Sequence, residues 1–123
     1  MWQSLNLDSD RDVDIKSKIE LVLERHYDDF EFSHQEFCRY LKIGRTSLHY
    51  NIKLHFHMST TALINDFRLK KAEALLVETL MPIGNLANRV GYKDSRYFSR
   101  LFSRKYNVGP LEYRHRNKDP DSG

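Results

Sequence analysis

The sequence predicts an all-α fold: seven helices, in which one helical hairpin unit occurs twice and a long linker helix joins the copies. Three observations carry that expectation. Apolar residues recur on the 3.6-residue period of a helix, as in "GYKDSRYFSRLFSRKYNVGP", where Phe98, Leu101 and Phe102 gather on one face and Arg96, Arg100 and Arg104 on roughly the opposite one. Capping and breaking residues divide the chain into lengths that suit helices. The pattern also repeats: Cys38, Leu41 and Ile43 map onto Ala87, Val90 and Tyr92 at an offset of 49, and Leu48, Ile52, Met58 and Thr60 map onto Phe98, Phe102, Val108 and Pro110 at 50. The second copy has gained one residue in its turn.

The elements follow in order. Asp12 or Asp14 suits the cap of a first helix whose apolar stripe is Ile15, Ile19, Val22, Leu23 and Tyr27. "FSHQEF" starts a second helix, with Ser33 and Glu36 spaced as a capping box and Phe32 and Phe37 as the hydrophobic staple around it. That helix is expected to run to Leu41. Gly44 interrupts the pattern, and "RTSLHYNIKLHF" resumes it with Leu48, Ile52 and Phe56 four apart. Ser59 or Thr60 caps the longest helix, which carries Ile64, Phe67, Leu75 and Leu76 and has neither Gly nor Pro to break it. Pro82 marks a fifth start and Gly91 a break, after which the basic stretch forms a helix up to Tyr106. Gly109 and Pro110 suit the cap and first turn of a last short helix. His57 and Asn107 follow the matching helices of the two copies, where a left-handed residue commonly ends a helix. The expected organisation is a linker or disordered start over 1–13, a first unit over 14–58, a linker helix over 59–80, a second unit over 81–116 and a frayed tail over 117–123.

Composition narrows the function. The chain of 123 residues has room for one domain or two very small ones, and 40% hydrophobic residues suffice for a core. No run of 18 apolar residues is present and "MWQSLNLDSDRD" lacks the regions of a signal peptide, so the expected compartment is the cytoplasm, without membrane contact by this segment. Cys38, the lone cysteine, has apolar neighbours and suits a small core position. The net charge of +3 hides an asymmetry: residues 1–31 carry net −5, and residues 32–123 net +8. Between Arg89 and Lys118 nine basic residues face only Asp94 and Glu112, interleaved with aromatics on a helical period. A folded surface of that kind suits a polyanion, although a solvated helical face has the same composition. No Gly-rich phosphate loop, paired carboxylates or nucleophile beside a base is present, so no catalytic residue and no cofactor is expected. His49, His55 and His57 lack a partner at zinc-like spacing, so no metal is expected either.

A small residue in one helix (Cys38, Ala87), a tight turn, and a polar second helix anchored by Leu48 or Phe98 describe a helix-turn-helix unit. In DNA-binding versions the second helix enters the major groove. About 18 helical linker residues at 1.5 Å each span about 27 Å, close to the ~34 Å pitch of a DNA turn once the flanking helices are added. Two units so joined can meet successive groove segments of one duplex. At this point the residues resemble a family, the AraC/XylS-type bacterial transcription regulators, on "FRLKKAEALL" in the linker, "IGNLANRVGYKDSRYFSRLFSRKYNVGPLEYR" in the second unit and "IGRTSLHYNIK" in the first. The resemblance covers about residues 12–116. The "RTSL" turn and helix look most like the C-terminal effector domains of response regulators and hybrid two-component sensors.

The resemblance implies seven helices in two helix-turn-helix units and sequence-specific binding of double-stranded DNA, not catalysis. It places base contacts on Arg45, Thr46, His49 and Tyr50 in the first unit and on Ser95, Arg96, Ser99 and Arg100 in the second. A guanidinium at Arg96 or Arg100 can bond bidentately to guanine. Lys53, Lys93, Arg104 and Lys105 look like phosphate contacts, and Arg68 like a structural arginine of the linker helix, packing its stem and bonding helix ends. Gly44 stands where the family often has a capping Ser, and Tyr50 and Asn51 where basic residues are common. The first unit is therefore expected to bind phosphates weakly or to read a different base set. With seven helices assigned, no segment remains for a sensor, receiver or ligand-binding domain. The chain is expected to be part of a longer regulator, with RNA polymerase a possible partner. The competing function is a helical protein-interaction module whose basic face meets an acidic partner.

Overall fold

The computed structural model describes residues 11–117, and these form seven α-helices and no strand. They are α1 Arg11–His26, α2 His34–Leu41, α3 Arg45–Phe56, α4 Thr60–Glu78, α5 Ile83–Arg89, α6 Ser95–Tyr106 and α7 Pro110–Asn117. They divide into two units. The first comprises residues up to His26 with Glu31–Ile64, and the second Tyr27–Phe30 with the residues from Asn65 onward. Of the expected start over 1–13 and tail over 117–123, residues 1–10 and 118–123 lie outside the described residues, whereas 11–13 and Asn117 fall within helices.

In the first unit α1 already runs at Arg11, so neither Asp12 nor Asp14 is its cap. An acidic residue is favoured both as an N-cap and within a helix start, and the sequence signal does not separate the two. The helix stops at His26, one residue before Tyr27, whose ring instead meets Phe67 edge-on at 5.5 Å within the second unit. Ser33 does stand at the N-cap of α2 in extended backbone, but its side chain makes no cap bond, and Glu36 pairs with Arg39 in place of closing a capping box. The staple forms: Phe32 and Phe37 are buried with ring centroids 4.9 Å apart. Ile19, Leu23, Leu48, Ile52, Leu63 and Ile64 complete this core. Cys38 is only half-buried, whereas Ala87 at the matching position is fully buried. Ser59 caps α4, its hydroxyl accepting the Ala62 N–H at 3.1 Å.

The second unit is built on α4. Leu69, Ala72 and Leu76 pack in one cluster with Leu86, Ala87, Val90, Tyr92, Phe98 and Phe102, and Tyr106 and Tyr113 lean against it. Fully burying a side chain of the Leu or Phe class is worth about 1.5–3 kcal/mol, so this aromatic-rich cluster is what holds α6 in place. The linker helix ends at Glu78, where the Thr79 hydroxyl donates to the Leu75 carbonyl at 2.8 Å and accepts the Met81 N–H at 3.2 Å. Arg114 on α7 donates from Nε to the Leu76 carbonyl at 2.9 Å, satisfying another acceptor of that helix end. Arg68 is structural as expected. Its guanidinium donates to the carbonyls of Tyr27 at 2.7 Å and Asp29 at 2.9 Å, just beyond α1, and lies 5.2 Å from the Tyr92 ring centroid. Gly91 makes room for this: its φ is +104°, and a β-carbon there would stand 2.5 Å from the Tyr27 carbonyl oxygen and 2.7 Å from Arg68 Nε.

Candidate nucleic-acid interface

In α6 the anchoring and presenting faces are cleanly divided. Phe98 and Phe102 have no exposure, and Leu101 and Tyr106 are half-buried beside them. Arg96, Arg100 and Arg104 are exposed on the opposite arc, with Ser95, Ser99 and Ser103 half-buried along its flank. Ser99, Arg100, Ser103 and Arg104 line an open depression on this face. The first turn is held by Asp94, whose carboxylate accepts the backbone N–H of Arg96 at 2.9 Å and of Tyr97 at 3.4 Å. The helix leaves through Asn107 at φ +71°, the left-handed exit expected from the repeat. Arg100 lies 5.8 Å from the ring centroid of Tyr97, which steadies the guanidinium without consuming its donors.

The two lysines expected at phosphates beside α6 have different surroundings. Lys93 is exposed just before the cap, its ammonium 5.8 Å from the Phe30 ring centroid. Lys105 falls about 180° around the helix from Arg96. Its ammonium lies 2.6 Å from the Asp66 carboxylate, which also meets Lys70 at 3.2 Å. Burial alone would raise the Asp66 carboxyl, but the hydrogen bonds and charges of Lys105 and Lys70 outweigh it and hold it below the usual carboxylate range. Lys105 therefore belongs to an ion-pair cluster on α4, while Arg96, Arg100 and Arg104 face outward.

In α3 the anchors are aliphatic. Leu48 and Ile52 are fully buried, and Thr46, His49, Tyr50 and Lys53 share the exposed arc. Arg45 is exposed at the first position of the helix. Tyr50 is 63% exposed and Leu54 52%, so this face is more apolar than that of α6. The helix starts at Gly44 without a side-chain cap and ends at His57 with φ +61°. Asn51 is turned onto its own helix, donating to the Ser47 carbonyl at 2.8 Å.

Sequence reasoning missed two residues here. Asp94 precedes a polar-rich turn at the spacing of an N-cap, so its signal was legible. Tyr97 carried none, because its place beside Arg100 follows from which arc the core leaves free. Among the described residues no group of His, Cys, Asp or Glu is arranged to hold a metal ion, and no helix is long and apolar enough to cross a membrane.

Known proteins bear on this arrangement. A profile of the helix-turn-helix domain family matches residues 37–116. Histidine kinase P4 of Formosa agariphila is 30% identical over 105 residues, 85% of this chain and 8% of its own length. The HTH-type transcriptional activator RhaR of Mannheimia succiniciproducens is 35% identical over 86 residues, 70% of this chain and 31% of its own. The chain thus spans less than a third of either relative. Among solved structures, the C-terminal domain of AraT, a response regulator from Geobacillus stearothermophilus, superposes with a TM-score of 0.81 at 26% identity, covering 87% of this chain and 88% of that one. With two helical hairpins in one repeated frame and a profile match over most of its length, the chain belongs to the AraC-type helix-turn-helix family of transcription regulators.

Proposed function

We propose that the chain binds double-stranded DNA in a sequence-dependent manner as the effector domain of a transcription regulator, with α3 and α6 as its recognition helices. The observation that carries this reading is the outer arc of α6, where three arginines stand exposed on a helix whose other side is locked into the core. Arg96 and Arg100 read base edges, with Ser95 and Ser99 beside them, and Arg104 and Lys93 hold phosphates. On α3, Arg45, Thr46, His49 and Tyr50 meet bases and Lys53 a phosphate. Lys105 is the weakest candidate, because Asp66 already takes its charge. Relatives that extend far beyond the matched region support a longer regulator in which a sensor, receiver or ligand-binding domain delivers the signal. RNA polymerase is then a natural partner of the assembled regulator.

The test is fluorescence anisotropy of a selected duplex across a salt series, against heparin as a nonspecific polyanion, followed by footprinting. A site of about 16–20 base pairs with two protected zones about one helical turn apart is expected. The logarithm of affinity is expected to fall against that of salt with a slope near −0.9 per phosphate neutralised. Equal affinity for heparin and every duplex would instead favour a protein-interaction module for an acidic partner.

A further inference from the structure

The first recognition helix begins at Gly44, which offers no side chain to its free N–H groups, yet its first turn is tied down from elsewhere. His34, the first residue of α2, places Nε2 3.3 Å from the Arg45 carbonyl and Nδ1 2.8 Å from the Thr60 hydroxyl. Thr60 is buried and is the first residue of α4. One ring therefore joins the N-terminal residues of three helices in the first unit. The protonation follows from the partners. A carbonyl only accepts, so Nε2 carries the proton, and in the neutral ring Nδ1 then accepts from the Thr60 hydroxyl. One tautomer satisfies both contacts. The Arg45 carbonyl has a second lone pair for this, since one takes the helical N–H four residues on.

Among the described residues nothing comparable stands in the second unit. The matching positions there are Ile83 for His34 and Pro110 for Thr60, neither of which can make such a bond, and its recognition helix is capped by Asp94 where the first has Gly44. Each helix thus has one side-chain device at its first turn, a cap in α6 and a strut in α3. The strut acts on the turn that carries Arg45 and Thr46, both proposed to meet bases.

Resting on the DNA-binding reading above, we infer that His34 is a positioning residue for base recognition by the first unit: by holding the Arg45 carbonyl it sets the first turn of α3, and with it the places of Arg45 and Thr46 on the duplex. It touches no base itself. Its effect is on sequence preference in one contact zone more than on affinity at large.

The experiment selects preferred duplexes with the full chain as parent and as His34→Ala, His34→Asn and His34→Gln, each checked by circular dichroism and melting. The second unit's zone is identified as the one whose preferences Arg100→Ala alters. Asn keeps an atom at the Thr60 position but falls short of Arg45, whereas Gln carries a donor of comparable reach to the lost Nε2. Ala and Asn are expected to flatten preference in the first unit's zone by about three- to tenfold, the net worth of one hydrogen bond. The second zone is expected to keep its preferences, and Gln to restore the first. Unchanged preferences in His34→Ala, equal flattening of both zones, or failure of Gln to restore what Ala loses would each overturn the inference. A parent that prefers no duplex would fail the DNA-binding reading itself, before any variant is compared.

Discussion

The helices α3 and α6 occupy matching places in a repeated frame but are built to different specifications. Both are anchored by two buried residues four apart, Leu48 and Ile52 in one and Phe98 and Phe102 in the other, and both leave through a left-handed residue, His57 or Asn107. There the likeness ends. The second has a carboxylate cap, aromatic anchors in a cluster with Tyr92, Tyr106 and Tyr113, and an outer arc of guanidinium groups. The first starts at a glycine, is anchored by aliphatic side chains, and shows Thr46 and Tyr50 where the second shows Arg96 and Arg100. The repeat thus preserves the anchors and exits, which determine where a helix lies, and leaves the first turn and outer arc free, which determine what it meets. Exposed positive charge is therefore denser along the outer arc of α6, with Arg96, Arg100 and Arg104, than along α3, with Arg45 and Lys53.

The comparison is broken most severely from inside. Phe98→Ala or Phe102→Ala is expected to cost about 3–5 kcal/mol, read as lost helicity and a lowered melting temperature of the second unit, with binding lost as a consequence. Next comes charge reversal on the outer arc. Arg100→Glu is expected to keep the fold by circular dichroism and to abolish specific binding by anisotropy, while His49→Ala with Tyr50→Ala leaves weaker binding to the same site. A folded Arg100→Glu that binds like the parent, beside an inactive double variant, would reverse the order of the two units. Removing the cap is a smaller perturbation: Asp94→Ala is expected to destabilise by about 1 kcal/mol in urea denaturation. Its counterpart sharpens the comparison. Apart from its chain neighbours no atom lies within 4 Å of where a β-carbon on Gly44 would stand, so Gly44→Ser is expected to add a cap without strain and to raise stability by a few tenths of a kcal/mol.

What the sequence made legible, and what it did not, divides along the same physical line. Local signals succeeded. The staple of Phe32 and Phe37, the break at Gly91, the left-handed exits at His57 and Asn107 and the two arcs of α6 are all set by residues within about two turns of each other. Long-range partners were not legible. Asp66 lies 39 residues from Lys105, and nothing near Lys105 announced that its ammonium meets a carboxylate of α4. The link from His34 to Thr60 crosses 26 residues and to Arg45 eleven, joining helix starts that only the fold brings together. Competition between local partners explains a third group. Ser33 reached its cap position, but Glu36 found Arg39 one turn away and the capping box stayed open. Arg68 was recognisable as structural, whereas the carbonyls it would hold were not.

The division of α6 into a buried arc and an exposed one also bears on how such a domain changes over generations. Among the described residues Arg96, Arg100 and Arg104 make no bond on which the core depends, so on the proposed reading substitutions there would alter what the helix recognises without the penalty that would remove an unstable variant. Phe98, Phe102 and Gly91 have no such freedom, the last because a single added carbon would strike the Tyr27 carbonyl and Arg68 together. Lineages descending from one such helix would therefore drift apart in operator preference while keeping a common skeleton, the readable letters diverging faster than the page they are written on.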